Sequence, residues 1–146
     1  WLSYFVYQWG GLHRYIGHSN NIRREYERAA HYFLLAYRID PSFTRARLDW
    51  ANLLWRELQQ YDAALHSLMQ LRQQEPALYA AQFNIAMLLL EQGQYEKALQ
   101  AFELYLSEAT PDEDDWESAV RQVALLENLL SPPTAVSTPP SNPNQP

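Results

Sequence analysis

The chain has 146 residues, 47% of them apolar, and a net charge of −6, which suits one domain with a modest core. It has no cysteine, which excludes a disulfide framework, a cysteine nucleophile and thiolate metal ligands and leaves the redox compartment open. The charge is uneven: residues 1–56 hold eight Arg against four acids, and residues 57–146 hold three bases against thirteen acids.

Residues 1–17, WLSYFVYQWGGLHRYIG, carry no formal charge before Arg14. Trp1, Phe5, Trp9, Leu12 and Ile16 fall on one helical stripe, with Tyr4, Tyr7, Gly11 and Arg14 on other faces. The uncharged run of 13 residues is short of the about 20 that span a bilayer. Two readings follow. The stripe packs on the next helix, or Trp1, Phe5 and Trp9 form an interfacial or partner docking face. His18-Ser19-Asn20-Asn21 reads as a turn.

Further helical faces follow in order. Tyr26, Ala29, Phe33 and Ala36 share one; residues 45–58 carry Leu48, Ala51, Leu54 and Trp55; Tyr61, Ala64, Leu68 and Leu71 share the next. Residues 77–92 carry Tyr79, Phe83, Ala86, Met87 and Leu90, and Tyr95, Ala98, Phe102 and Tyr105 follow. Pro41, Pro76 and Pro111 mark turns, because proline cannot continue a helix. Asp112 to Asp115 put negative charge where a helix N-terminus favours it. Trp116, Val120, Val123, Leu126 and Leu130 then form an apolar stripe, read as a capping helix over 112–131. Residues 131–146 hold six Pro. A disordered, extended Pro-rich tail is expected over 132–146, with a weak PxxP match at Pro140, Pro143 and Pro146.

The faces repeat. At an interval of 34, Tyr61, Ala64 and Leu68 return as Tyr95, Ala98 and Phe102; at 35 upstream stand Tyr26, Ala29, Phe33 and Pro41, against Tyr61, Ala64, Leu68 and Pro76. The small Ala lets a neighbouring helix approach, and the larger residue one turn on fills the space beside it. This pattern resembles the tetratricopeptide repeat, a helix–turn–helix unit of 34 residues. The resemblance implies an all-α, right-handed α-solenoid: a first unit over 1–44, a second over 45–78, a third over 79–111, then the cap. Gly93 stands where the family has a turn glycine; Gln59 replaces it one unit earlier, and Asn52 and Pro111 are further departures. In the first unit, Trp9 and Leu12 are set on the family's helix A sites. That alignment predicts an A–B loop about four residues longer than usual.

The resemblance also places a concave groove along the A helices. Its positions fall on Tyr7, Gly10 and Arg14, on Asp49, Leu53, Arg56 and Glu57, and on Phe83, Asn84, Met87, Leu90 and Glu91. Some family members grip a C-terminal carboxylate with a Lys, Asn and Arg clamp. Only Asn84 fits that type; Asp49, Leu53 and Ala80 depart from it. An amphipathic peptide or partner helix is expected instead, anchored by Leu53, Phe83 and Met87.

Catalysis is not expected. His13, His18, His31 and His66 are scattered, and no metalloprotease, nucleophile-elbow or paired-carboxylate pattern is present. No cofactor, metal or catalytic residue is assigned. An acidic chain is not expected to bind nucleic acid. The first expectation is a protein-interaction scaffold or adaptor using the groove. The second is an accessory subunit or assembly factor of a larger, membrane-bound complex, docking through the aromatic N-terminal stretch. The expected location is the cytoplasm, at a membrane periphery in the second reading. The chain begins with Trp1 rather than Met, so an upstream targeting segment stays open.

Overall fold

The computed structural model describes residues 1–133; the expected tail and its PxxP spacing lie, from residue 134 on, outside them. Seven helices follow in order: α1 (Leu2–Asn20), α2 (Arg23–Ile39), α3 (Thr44–Arg56), α4 (Tyr61–Gln74), α5 (Tyr79–Glu91), α6 (Tyr95–Glu108) and α7 (Trp116–Leu130). No strand occurs among the described residues. Each helix packs chiefly on its neighbours in the chain, and α3 also touches α5. The architecture is an all-α helical-repeat solenoid.

The turns joining α1 to α2, α3 to α4 and α5 to α6 share one device. Asn21 (φ 53), Gln59 (φ 56) and Gly93 (φ 72) are left-handed, each two positions before the following helix. Glycine adopts this conformation freely and asparagine tolerates it. Glutamine at 59 bears a cost on the order of 1 kcal/mol, held in place by the flanking bonds from Leu58 N–H to Leu53 O (3.2 Å) and Gln60 N–H to Leu54 O (2.8 Å).

The longer loop expected in the first hairpin is not there. α1 runs on to Asn20, and only Asn21 and Ile22 separate it from α2. The left-handed residue falls at Asn21, so the turn signal was real but sat at the end of the tetrapeptide. α2 starts three positions before Tyr26, so the extra residues are absorbed as helix, where their backbone groups bond internally.

The largest fully buried side chains are Trp55, Tyr105, Phe102, Leu53, Leu68, Leu71 and Leu88. Ala29, Ala64 and Ala98 are also fully buried, which fits helices in close approach. One buried cation is stitched into the core. Arg47 donates from Nε to Ser67 Oγ (3.1 Å), from Nη1 to Tyr37 O–H (3.2 Å) and Gln74 Oε1 (3.0 Å), and from Nη2 to Gln70 Oε1 (2.6 Å). It ties α2, α3 and α4 together. Arg suits this role because its fork of donors can be satisfied by several neutral oxygens at once.

The buried positions of α1 are Ser3, Gly10 and Gly17, seven apart and therefore on one line of the helix. A Cβ on Gly10 would stand 2.5 Å from Phe33 Cδ1, and one on Gly17 would stand 2.7 Å from Tyr26 Cε1. The small-residue line thus receives the rings of α2. The stripe of Trp1, Phe5, Trp9 and Leu12 is exposed, with only Ile16 half-buried. The expectation that this stripe covers Ala29, Phe33 and Ala36 is therefore corrected: the rings on α2 need a smooth surface, and glycine supplies it.

α7 needs a similar correction. Ala119 and Leu126 are buried, with Trp116 and Val123 packed against the core, whereas Val120 is exposed. The buried line runs through Trp116, Ala119, Val123 and Leu126. Asp112 to Asp115 precede the helix, and Asp115 makes no side-chain capping bond.

Gly10→Ala is expected to destabilise the chain by about 1–3 kcal/mol, since Phe33 has no room to yield. Gly11→Ala, with nothing near its would-be Cβ, is expected to stabilise by about 0.5–1 kcal/mol. Urea unfolding of the two variants checks both signs.

Candidate interaction site

The expected groove residues do come together along the A helices, but they spend their functional groups on one another. The Tyr7 O–H donates to Asp49 Oδ2 at 2.6 Å, and Arg45 Nε donates to the same oxygen at 3.1 Å. Arg14 donates to Glu57 Oε1 from Nη2 (2.9 Å) and Nε (3.2 Å), and His18 Nε2 stands 3.0 Å from that oxygen. Tyr7 also packs on Phe33 and Phe43. α1 is thereby locked to α3 by two polar contacts and one aromatic cluster.

Two of the three expected apolar anchors are not available. Leu53 is 0% exposed and Phe83 is 6% exposed. Phe83 meets Phe102 and Tyr105 edge to face. Both side chains are core, so their assignment as partner anchors is corrected. Helices on either side of α3 and α5 close over the positions that the family pattern marks as groove. Asn84 is buried as well. Met87 and Leu90 are half-buried, while Arg56 and Glu91 are exposed, Arg56 lying over the Trp55 ring at 4.8 Å.

The scaffold positions divide by depth. Ala29, Phe33, Ala64, Leu68, Ala98 and Phe102 are buried. Tyr26 and Tyr61 are half-buried, and Tyr95, Gly93, Pro41 and Pro76 are exposed at or near helix ends.

The outward face of α1 is different in kind. Trp1 is 94% exposed, Phe5 54%, and Trp9 and Leu12 44% each. Leu2, Tyr4 and Tyr15 are exposed beside them. Phe5 and Trp9 meet edge to face with centroids 6.4 Å apart, so the rings stand as one surface. Isolated exposed apolar residues need no explanation; a run of large ones on one helix face makes α1 the candidate surface.

A polar cleft adjoins this stripe, a feature the sequence reading missed because its residues come from two helices. It has a volume of about 610 Å³ and is lined by His13, Arg24, Glu27, Arg28, His31 and Tyr32. His13 connects the two surfaces: its ring lies 6.3 Å from that of Trp9 and stacks on Tyr32 at 5.3 Å. His13 Nδ1 is 2.6 Å from Glu25 Oε2, and Arg28 Nη1 donates to Glu25 Oε1 at 2.8 Å. The His13 hydrogen bond and the Arg28 charge hold the Glu25 carboxyl below its usual range, against the opposing pull of its burial.

Among the described residues, no three His, Cys, Asp or Glu side chains stand together to hold a metal ion. No described helix is long and apolar enough to cross a membrane.

Stacked helix hairpins with repeating left-handed turns define a helical-repeat protein. Residues 56–123 match the family model described as Tetratricopeptide repeat. The aromatic helix α1 precedes the matched span. A comparison with curated proteins finds none that matches the chain.

The Tyr7 contacts have a pH consequence. Burial first, and then the hydrogen bond to Asp49, push the Tyr7 hydroxyl up to about 12. Burial and the charges of Asp115, Glu113 and Asp114 take Tyr105 to about 12 as well. Unfolded tyrosines deprotonate near pH 10 while these two keep their protons, so their contribution is complete below about pH 10 and is lost between about 10 and 12. Tyr7→Phe is expected to soften that alkaline fall while lowering stability by about 1–2 kcal/mol at neutral pH. Urea midpoints measured on both sides of pH 10 check the two effects.

Proposed function

We propose that the chain is a non-catalytic accessory module of a larger, membrane-bound complex, and that it docks through the aromatic outer face of α1. Tetratricopeptide repeats generally mediate protein–protein interaction, so an interaction role is the starting point. The observation that carries the reading is the outward run of Trp1, Phe5, Trp9 and Leu12, on the side of α1 opposite its packed line of Ser3, Gly10 and Gly17.

A grip along the concave side draws less support. A partner entering there would compete with the Tyr7–Asp49 and Arg14–Glu57 contacts, and removing one member of such a pair leaves the other desolvated and unpaired. Docking on α1 breaks nothing. It covers apolar surface of order 25 cal/mol for each Å² removed from water.

The test is fractionation of source cells carrying the Phe5→Ser, Trp9→Ser double variant. Neither side chain is part of the core, so folding should change by less than about 1 kcal/mol. The variant should leave the membrane fraction and lose co-migration with the large complex on native gels. Arg56→Ala, on the concave side, should fractionate like the parent. If the double variant, folded by circular dichroism, fractionates like the parent, the docking reading fails.

A further inference from the structure

We infer that the surface covering the outer face of α1 is an anionic lipid membrane, with the helix lying along the headgroup boundary and Arg24 and Arg28 meeting headgroup phosphates. This rests on α1 being the docking face and names what it docks to.

Four observations on the first hairpin converge. The first is charge. Residues 1–24 contain no Asp or Glu, and Glu25, the first acid, is already engaged by His13 and Arg28. Arg24 and Arg28 line a cleft with His13, whose ring lies against Trp9 of the stripe, while Arg14, on the flank toward α3, is bonded to Glu57. Glu27 is the one further acid on this side, and Arg23 Nε lies 3.3 Å from it. Arg24 has no ion-pair partner among the described residues. Basic groups close to an anionic leaflet are attracted to its negative surface potential.

The second is side-chain type. Trp1, Phe5, Trp9 and Leu12, with Tyr4 and Tyr15 exposed at the edges, are the residues that favour the boundary between hydrocarbon and water: a large apolar body, and in Trp and Tyr a polar tip that stays wet. The third is shape. The stripe is a convex helix surface, with a small hollow of about 210 Å³ lined by Phe5, Gln8, Trp9 and Leu12. A protein partner would need a groove matched to these rings, whereas a bilayer yields to them.

The fourth is the adjoining cleft. At about 610 Å³, with Arg24, Arg28, His13 and His31 on its walls, it offers a phosphate both positive charge and hydrogen-bond donors. The His13 ring lines the cleft and lies 6.3 Å from the Trp9 ring, so cleft and stripe are neighbours on the surface. Residues 57–146, with thirteen acids against three bases, are repelled by the same leaflet, which turns the first hairpin toward it.

The experiment is vesicle flotation of the 146-residue chain with phosphatidylcholine vesicles, and with vesicles in which about one lipid in three is phosphatidylglycerol. Binding to the anionic vesicles should be at least about tenfold tighter, and should weaken as salt rises. Arg24→Ala with Arg28→Ala should lower it about tenfold or more. Phe5→Ser with Trp9→Ser should abolish it, while Leu125→Ser with Leu129→Ser, on exposed positions of α7, should bind like the parent. No binding to either vesicle, equal binding to both, or an unchanged Arg24/Arg28 variant overturns the inference. Should vesicles fail to bind while the Phe5/Trp9 variant still leaves the complex in cells, the face is covered by protein: the lipid assignment falls and the docking reading stands. Should both experiments fail, both fall.

Discussion

The close approach of α1 to α2 at Gly10 and Gly17 decides which side of α1 faces outward. Phe33 and Tyr26 occupy the space where side chains on those two positions would be. A helix offering a smooth line at Ser3, Gly10 and Gly17 can lie against these rings; the same helix turned by half a revolution would drive Phe5 and Trp9 into them. The apolar stripe is therefore outside because a better-fitting surface is inside. The hydrophobic effect favours burial of either face, but only one face allows burial of Phe33 and Tyr26 at the same time.

This explains where the sequence was legible. Periodicity located the helices well, since apolar and small residues recur at helical spacing through α2 to α6. It also located the repeats, because Ala29, Ala64 and Ala98 mark the close contacts and are fully buried. What periodicity cannot do is rank two candidate faces on one helix. On α1 the more apolar stripe was weighed as the packing face, although glycines lay opposite. On α7 the apolar residues spread round enough of the helix that the buried line could be read one position off, through Val120 rather than Ala119. In both cases the small residue marked the packing face.

The expected groove positions were legible as neighbours but not in state. Tyr7, Arg14, Asp49 and Glu57 were assigned to one surface, and there they meet. Their pairing with each other depends on α1 reaching α3, which a sequence pattern drawn from one unit does not contain. The same holds for the cleft at His13, whose other walls come from α2, and for Arg47, whose oxygen partners are spread over two helices. Side chains that answer to three-dimensional neighbours leave no local signal.

The first and last described helices differ in a way that bears on function. Repeat arrays usually keep polar a face that no neighbouring helix covers, and among the described residues α1 and α7 each have such a face. α7 follows the rule in part: Glu117, Arg121 and Asn128 are exposed along it, and the preceding Asp112 to Asp115 add charge. α1 departs from it, presenting Trp1, Phe5, Trp9 and Leu12 to solvent. A face of that composition costs solubility unless something covers it. The departure sits in the basic first hairpin, whose cleft holds Arg24, without an ion pair among the described residues, and Arg28, bonded to Glu25. Apolar rings and unpaired positive charge are poor companions inside a protein core. At the surface of an anionic bilayer both find what they lack within a few ångströms of each other.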